Sequence, residues 1–213
     1  MVRPRGDEAP IGASEEPDLA SADPVEIDAE ELARERELEG VALAPAALDD
    51  ADLRGLRLVD LSAERLSAAS GDWRGASLLR AELREARLTG LDLGEARLRE
   101  VRFRGCKLDY VNFRHAELEY VSFEDCVLAH ADFQGSRLDS VRFAGCQLGA
   151  ADFTKATLSR VDLRGSDLAG LGGSLLNLSG AVVDSPQLID LAPQLATELG
   201  IRVEERQPPS PDR

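Results

Sequence analysis

The chain has 213 residues, and only 4% of them are aromatic, so a conventional globular core built from large side chains is not expected. Its 40 acidic and 25 basic residues give a net charge of −15, which disfavours direct binding of nucleic acid. No window is long and apolar enough to span a bilayer and no signal peptide is visible, so the composition predicts a soluble, cytoplasmic protein without membrane contact.

Residues 1–45 are predicted to be an acidic and mostly disordered segment. About the first 22 of them are rich in Pro, Gly, Ser and acidic residues and contain few large apolar side chains. Asp23-Pro24 is a typical helix start, which predicts a short helix over residues 24–39. The sizeable apolar residues of that helix are Val25, Ile27, Leu32 and Leu38.

A five-residue repeat occupies residues 46–185. Residues 51–55 show its pattern, which is a small residue, a polar residue, a Leu or Phe, and two variable positions. We call the Leu or Phe the centre and the small residue two positions earlier the flank. The pattern runs without insertion through 28 pentapeptides, a period that neither an amphipathic helix nor a simple strand produces. The sequence therefore predicts a solenoid.

The placement of charge tests this register independently. The 140 repeat residues contain 22 acidic and 18 basic side chains, and none of these falls on the 56 flanks and centres. Because burial of an unpaired charge is costly, flanks and centres are predicted to point inward. The repeat region has a net charge of only −4, since most of the acidity lies in residues 1–45.

Like residues also recur every twenty positions, which predicts four pentapeptides in each coil of the solenoid. Coils stacked at the usual strand spacing of about 4.8 Å would form a rod of seven coils about 34 Å long. The recurring series are Cys106, Cys126 and Cys146; Val101, Val121, Val141 and Val161; Phe113, Phe133 and Phe153; and Phe103, Phe123 and Phe143.

Residues 186–203 are predicted to be helical and to cover the last coil, because an open end would expose apolar side chains. Ser185-Pro186 is a typical helix start and Gly200 a stop signal, while Pro193 predicts a kink or a second helix. Two roles remain open for this segment, a simple cap or a dimerisation helix. Residues 204–213 are predicted to be a disordered tail. The leucines that recur at spacings of three and four are Leu188, Leu191, Leu195 and Leu199.

The pentapeptides resemble those of the pentapeptide-repeat proteins, whose consensus is A(D/N)LXX. This resemblance implies an all-β solenoid, a right-handed quadrilateral β-helix of about seven coils, without enzymatic activity. The best-known members resemble a DNA duplex and bind DNA gyrase, so gyrase is the partner that the resemblance implies. In quinolone-resistance members a C-terminal helix forms the dimer, and residues 181–203 are similar to that arrangement.

The sequence predicts no catalytic, metal or cofactor site. His115 and His130 occupy outward positions without a nearby nucleophile or carboxylate set, and the three cysteines read as small inward hydrophobes. Tyr110 and Tyr120 are also outward, and the step of twenty places Tyr110 beside His130 on the next coil. Exposed aromatic residues in the middle of a rod are candidates for a partner contact.

A column of outward aspartates has two interpretations. It is either a stripe that imitates phosphates or the family's usual residue for backbone hydrogen bonding, with its charge offset by Arg54, Arg74 and Arg114 on the same face. The column consists of Asp52, Asp72, Asp92, Asp132 and Asp152, with Asn112 between them. The candidate partner-binding residues are these five aspartates together with Tyr110, Tyr120, Arg114, His115 and His130.

Two functions of different classes follow. One is a DNA mimic that acts on DNA gyrase or another topoisomerase, and the other is a scaffold or adaptor that binds an unrelated protein. A duplex about 34 Å long would carry about 20 negative charges, far more than the −4 of the repeat region. The shape of the rod favours the DNA mimic, whereas the small net charge of the repeat region argues against that function.

Overall fold

The computed structural model describes residues 25–204, and its main body is a stack of four-sided coils joined by parallel strand pairing. Each residue pairs with the residue twenty positions later, as in Leu58 with Leu78 and Leu78 with Leu98. The predicted period of twenty and the all-β solenoid are therefore confirmed. None of the described helices is long and apolar enough to cross a membrane.

The described residues contain eleven short strands, two α-helices and one 3-10 helix. In chain order they are α1 (Ala29–Glu35), β1 (Glu37–Leu43), β2 (Arg57–Glu64), β3 (Ser77–Arg84), β4 (Arg97–Arg104), β5 (Glu117–Glu119), β6 (Ser122–Glu124), β7 (Arg137–Asp139), β8 (Arg142–Ala144), β9 (Thr157–Ser159), β10 (Val161–Asp162), the 3-10 helix (Leu175–Leu178), β11 (Ala181–Val182) and α2 (Ser185–Glu198).

The four faces of the rod are of two kinds. Each face contributes five residues to every coil. In the coil that begins at residue 51, face 1 is residues 51–55, face 2 is residues 56–60, face 3 is residues 61–65 and face 4 is residues 66–70, and the same assignment recurs every twenty residues. Strand ladders lie on faces 2 and 3, whereas faces 1 and 4 have single bridges separated by turns. In one such turn the Leu56 N–H donates to the Leu53 carbonyl at 3.1 Å, and Gly55 has a φ of +69°. A positive φ at the third residue is what a type II turn requires.

The last residue of each pentapeptide lies at a corner of the rod. From residue 50 to residue 170, all 25 corner residues have φ between +49° and +75°, and 17 of them are not glycine. This conformation costs about 1 kcal/mol for a residue with a Cβ, so the rest of the coil must impose it. At Tyr110, for example, the backbone N–H is held by the Ala129 carbonyl of the next coil at 2.9 Å. The stacking of the coils therefore determines the backbone conformation of the corner residues.

The inward columns form the core, as the charge pattern predicts. The rings of Phe103 and Phe123 stack with centroids 5.0 Å apart, and Phe113 meets Phe123 edge-on at 6.1 Å. The same arrangement continues upward through the remaining phenylalanines. Cys106 and the two cysteines above it are buried free thiols. Similar side chains lie above one another in each column, so the coils stack without change of register.

The N-terminal end of the rod differs from the prediction. The helix predicted over residues 24–39 is only Ala29–Glu35, with Arg36 in the left-handed conformation after it. Residues 37–43, predicted as part of the disordered segment, form β1 and pair with β2. Arg36 puts a charge at a flank position, and this hid the first coil from the sequence pattern. Leu32 is buried against the end of the rod, so α1 is a cap.

The predicted disorder of the first 22 residues lies outside the described residues. The same is true of the tail predicted over residues 204–213, except for Glu204.

The C-terminal end is covered by α2, which is one helix with Pro193 inside it. Asp184, rather than the predicted Ser185, is the N-cap, and it forms a capping box with Gln187. The Gln187 amide donates to the carbonyls of Leu163 and Ser166, both at 2.7 Å, which satisfies backbone groups of the last coils. The helix therefore caps the rod.

Candidate functional site

No group of three or more His, Cys, Asp or Glu residues within residues 25–204 is arranged to hold a metal ion. The cysteine column is part of the core, where hydrogen bonding to the thiols of Cys106 and Cys146 raises the pKa of the Cys126 thiol. The hydrogen bonds with Cys126 lower the pKa of the Cys106 and Cys146 thiols, but all three thiols are buried in the core and not open to a reactant. The features that can contact another molecule lie on the outer surface of the rod.

The aspartate column of face 1 is tied to its own backbone. The Asp92 carboxylate accepts the Gly94 N–H at 2.9 Å, Asp132 accepts the Gln134 N–H at 2.9 Å, and Asn112 Oδ1 accepts the Arg114 N–H at 2.9 Å. Such bonds between an Asp or Asn and the backbone two residues later stabilise turns. This geometry is the one expected if the aspartates serve backbone hydrogen bonding.

Arginines neutralise much of the same column. Arg54 donates two hydrogen bonds to Asp52, at 2.8 and 2.6 Å, and also lies 3.7 Å from Asp72 on the next coil. The hydrogen bonds from Arg54 lower the pKa of Asp52 to about 2, so this ion pair is intact at neutral pH. Arg114 bonds Asp132 across the coil boundary at 2.6 Å. Face 1 therefore presents alternating charges and not a continuous negative stripe.

The predicted contact between Tyr110 and His130 is confirmed. Their rings are stacked with centroids 4.6 Å apart and planes within 5°, at the corner between faces 4 and 1. Tyr110 is 61% exposed, so this aromatic step projects into solvent. His115 lies at the next corner, where its ring covers Gly135 so closely that an added Cβ would be 2.7 Å from the ring.

The structure brings together only part of the predicted site. Tyr110, His130, Arg114, His115 and the aspartate column lie on face 1 and its two corners. Tyr120 lies half a coil away, at the corner between faces 2 and 3, which is the opposite edge of a four-sided rod. One flat partner surface cannot contact both tyrosines.

The four predicted leucines of the C-terminal segment also differ in their exposure. Leu191 is buried and Leu195 packs partly against the core, whereas Leu188 and Leu199 are 52% and 63% exposed. The sequence reading missed Ile189, which is 72% exposed beside Leu188. Ile189 lies two residues before the buried Leu191, on the opposite side of the helix, and this spacing could have predicted its exposure. An apolar strip therefore remains on the outer side of α2.

A second feature that the sequence reading missed is buried ionic bonding on face 3. Asp162 is 5% exposed and accepts two hydrogen bonds from Arg164, at 2.8 and 2.7 Å. Glu82 is 3% exposed and lies 2.7 Å from Arg84 and 3.1 Å from Arg104. Asp162 is bonded within its own coil, whereas the Glu82–Arg104 pair joins neighbouring coils.

These features define a class of protein, the four-sided parallel β-solenoids that have a filled interior and free outer faces. The family model described as a pentapeptide repeat region matches residues 76–149 and 96–172. No curated protein matches the sequence significantly. The two matched segments together cover residues 76–172, which are therefore similar to the pentapeptide-repeat family.

Several solved structures are similar to this chain. A trypsin-treated variant of QnrB1, a plasmid-mediated fluoroquinolone resistance protein, is 22% identical with a TM-score of 0.50, covering 79% of this chain and 90% of QnrB1. Full-length QnrB1 is 21% identical with a TM-score of 0.39, covering 83% and 95%. HetL of Nostoc sp. strain PCC 7120 is 25% identical with a TM-score of 0.23, covering 68% and 84%. At 22% identity, the first of these likenesses shows a shared fold.

The buried Asp162 predicts how stability depends on pH. The hydrogen bonds from Arg164 lower the pKa of Asp162, so its stabilising contribution is present above the unfolded-state pKa of about 3.9 and is lost as the pH falls through the folded-state pKa. Asp162→Asn keeps the shape but not the charge. We expect it to lower the free energy of unfolding by about 1 kcal/mol at pH 7.

Urea unfolding at pH 7, 5, 4 and 3 measures this dependence. The difference between the wild-type protein and Asp162→Asn should shrink as the pH falls below about 4, because protonation of Asp162 in the unfolded chain then increasingly favours unfolding of the wild-type protein. A difference that stayed constant across the whole series would contradict the assignment.

Proposed function

We propose that this protein is a non-enzymatic, cytoplasmic interaction protein whose rod binds another protein, with DNA gyrase or a related topoisomerase as the specific partner. The observation that carries the proposal is the uninterrupted, filled rod, which offers flat faces about 34 Å long and no loop insertion between its coils. Such faces suit the groove of a protein that normally holds a straight duplex. The fold similarity to QnrB1 supports the choice of partner.

The charges of face 1 determine how this recognition would work. Asp52, Asp72 and Asp132 are already paired with arginines, so basic groups of the partner must replace those arginines or bind beside them. Fewer counterions would be released than from DNA, which predicts a weaker salt dependence than that of DNA itself. Recognition then depends on the shape of the rod and on the exchange of ion pairs.

A supercoiling assay with purified DNA gyrase, with and without a quinolone, tests the proposal. Micromolar protein should reduce either supercoiling or quinolone-induced DNA cleavage. The double variant Asp92→Asn, Asp132→Asn should weaken that effect by about tenfold, since two charge-assisted bonds are lost. The native Asn112 in the same column indicates that Asn can retain the backbone hydrogen bond.

The matched control is Asp109→Asn with Asp167→Asn, which removes the same charge from face 4. It should behave as the wild-type protein. Absence of any effect of the wild-type protein on supercoiling and on cleavage at micromolar concentration would exclude gyrase as the partner.

The aromatic step of Tyr110 and His130 favours a second candidate, an adaptor for an unrelated protein. Exposed tyrosines are common centres of protein interfaces, and this pair is rigid because its two rings are stacked. An adaptor of this kind would lose its partner on Tyr110→Ala and would be indifferent to the aspartate variants. Tyr120 would contribute separately, since it lies on the opposite edge.

We also propose that two copies associate through the outer side of α2. Leu188, Ile189 and Leu199 are exposed there, and Ile201 and Val203 continue the apolar surface past the end of the helix. Apolar residues clustered at one end of a rod are typical of an interface between copies.

Light scattering coupled to size-exclusion chromatography measures the association. The wild-type protein should have twice the 23.0 kDa mass of one chain. Ile189→Glu should give the mass of one chain, because the interface would have to bury an unpaired charge. Gln147→Glu adds the same charge on face 4 and should remain a dimer. A wild-type mass of 23 kDa at high micromolar concentration would contradict the proposal.

A further inference from the structure

Face 4 carries two exposed cations, Arg87 and Lys107, on successive coils. Their backbones form a parallel bridge, so the two side chains leave neighbouring strands about 4.8 Å apart. Neither side chain forms an ion pair within 4.0 Å among residues 25–204. Like charges that lie directly beside each other on neighbouring strands are destabilising, so this pair requires an explanation.

Comparable pairs on other faces have partners of opposite charge. Arg84 and Arg104, on successive coils of face 3, both contact the Glu82 carboxylate, at 2.7 and 3.1 Å. Glu119 and Asp139, on successive coils of face 2, are each paired with an arginine. The pair on face 4 has no such partner among the described residues.

The acids around the pair do not form ion pairs with it. Asp49 lies two coils before Arg87, and its carboxylate accepts hydrogen bonds from a hydroxyl and a backbone N–H of the next coil, at 2.6 and 2.7 Å. Asp109, on the coil of Lys107, and Glu85, at the corner before Arg87, form no ion pair within the part of the chain that the structure describes. Both cations can therefore bond to an acidic group of another molecule.

The aromatic step lies at the edge of the same face. Tyr110 follows Lys107 by three residues, and three residues span at most about 10 Å. The Tyr110 ring is stacked on His130 with centroids 4.6 Å apart, and Tyr110 is 61% exposed. A chain that crosses face 4 can contact the cations and the aromatic step together.

The part of face 4 beyond Lys107 is uncharged for two coils. Strand bridges place Val127 above Lys107 and Gln147 above Val127. The other outward residues between the corners of these two coils are Ala129 and Gly149. No charge of the rod has to be removed from water when another chain lies against these residues beside the aromatic step.

We propose that face 4 binds an acidic segment of a protein partner, with Asp or Glu carboxylates at Arg87 and Lys107 and an aromatic ring of the same segment on the Tyr110 step. Two adjacent cations suit two carboxylates, which form charge-assisted hydrogen bonds with them. The ring stacks or packs edge-on against Tyr110, about three extended residues away. The choice of a protein partner rests on the adaptor function proposed above, and the surface does not require gyrase.

NMR titration with a capped pentapeptide of two glutamates, alanine, glycine and tryptophan tests this surface. The backbone amide of Lys107 and the ring signals of Tyr110 should shift and saturate. Replacement of the peptide's glutamates by glutamines should weaken binding by about tenfold, because two charge-assisted bonds are lost. Replacement of its tryptophan by alanine should weaken binding by several-fold.

Matched variants of the protein locate the binding. Arg87→Gln with Lys107→Gln should weaken binding of the acidic peptide by about tenfold. The control is Arg97→Gln with Arg137→Gln, which removes two exposed arginines from face 2 and should leave the affinity unchanged. Equal weakening by the two double variants, or shifts that never saturate, would mean that the peptide senses only net charge and would overturn the proposal.

A five-nucleotide oligothymidylate separates a protein partner from a nucleic acid, since it also combines negative charge with aromatic rings. It should bind more weakly than the acidic peptide, because the net charge of −15 repels a chain of phosphates. Tighter binding of the oligonucleotide would overturn the assignment to a protein.

Urea unfolding at low salt, without peptide, gives an independent readout. Lys107→Gln should be at least as stable as the wild-type protein, because it removes the repulsion from Arg87. Arg104→Gln should be destabilised, because the buried Glu82 carboxylate loses a partner. Destabilisation by Lys107→Gln would show a structural cation and contradict the assignment. The peptide titration and the supercoiling assay have separate readouts, so failure of one proposal is distinguishable from failure of the other.

Discussion

The stacking of inward side chains, each coil directly above the one before, is the constraint on which the rest of this molecule depends. Phe103, Phe123 and Phe143 lie 5.0 and 4.9 Å apart, a distance fixed by the parallel strand pairing beside them. The same spacing governs the outer surface, where residues of one column are also neighbours at about 4.8 Å. Like charges at that distance repel, so the aspartate column of face 1 is paired with arginines of the neighbouring column.

Self-neutralisation explains why a rod of duplex-like shape does not have a duplex-like charge. The ion pairs of faces 1 and 3, several of which join neighbouring coils, leave little net field for a partner to sense. The alternation of charges is interrupted by the aromatic step of Tyr110 and His130 and by the apolar outer side of α2 at Ile189, which lie on different parts of the rod.

The sequence alone predicted the coil, the inward columns and the pairing of Tyr110 with His130, because these follow from period and spacing. It did not reveal β1, since the charged Arg36 interrupts the flank pattern there. It did not reveal the positive φ of the corners either, because hydrogen bonds between coils impose that conformation on residues as different as Tyr110 and Lys155. The exposure of Leu188 depends on how α2 lies across the last coil, which no local pattern specifies.

Deletion of whole coils measures the central claim, that stacking in a register of twenty residues holds the rod together. Deletion of residues 111–130 removes one complete coil and keeps every later column above its own kind. That variant should retain a parallel-β circular dichroism spectrum and unfold cooperatively. Deletion of residues 111–115 shifts every later pentapeptide by one face, and it should abolish cooperative unfolding. Equal stability of the two variants would contradict the account.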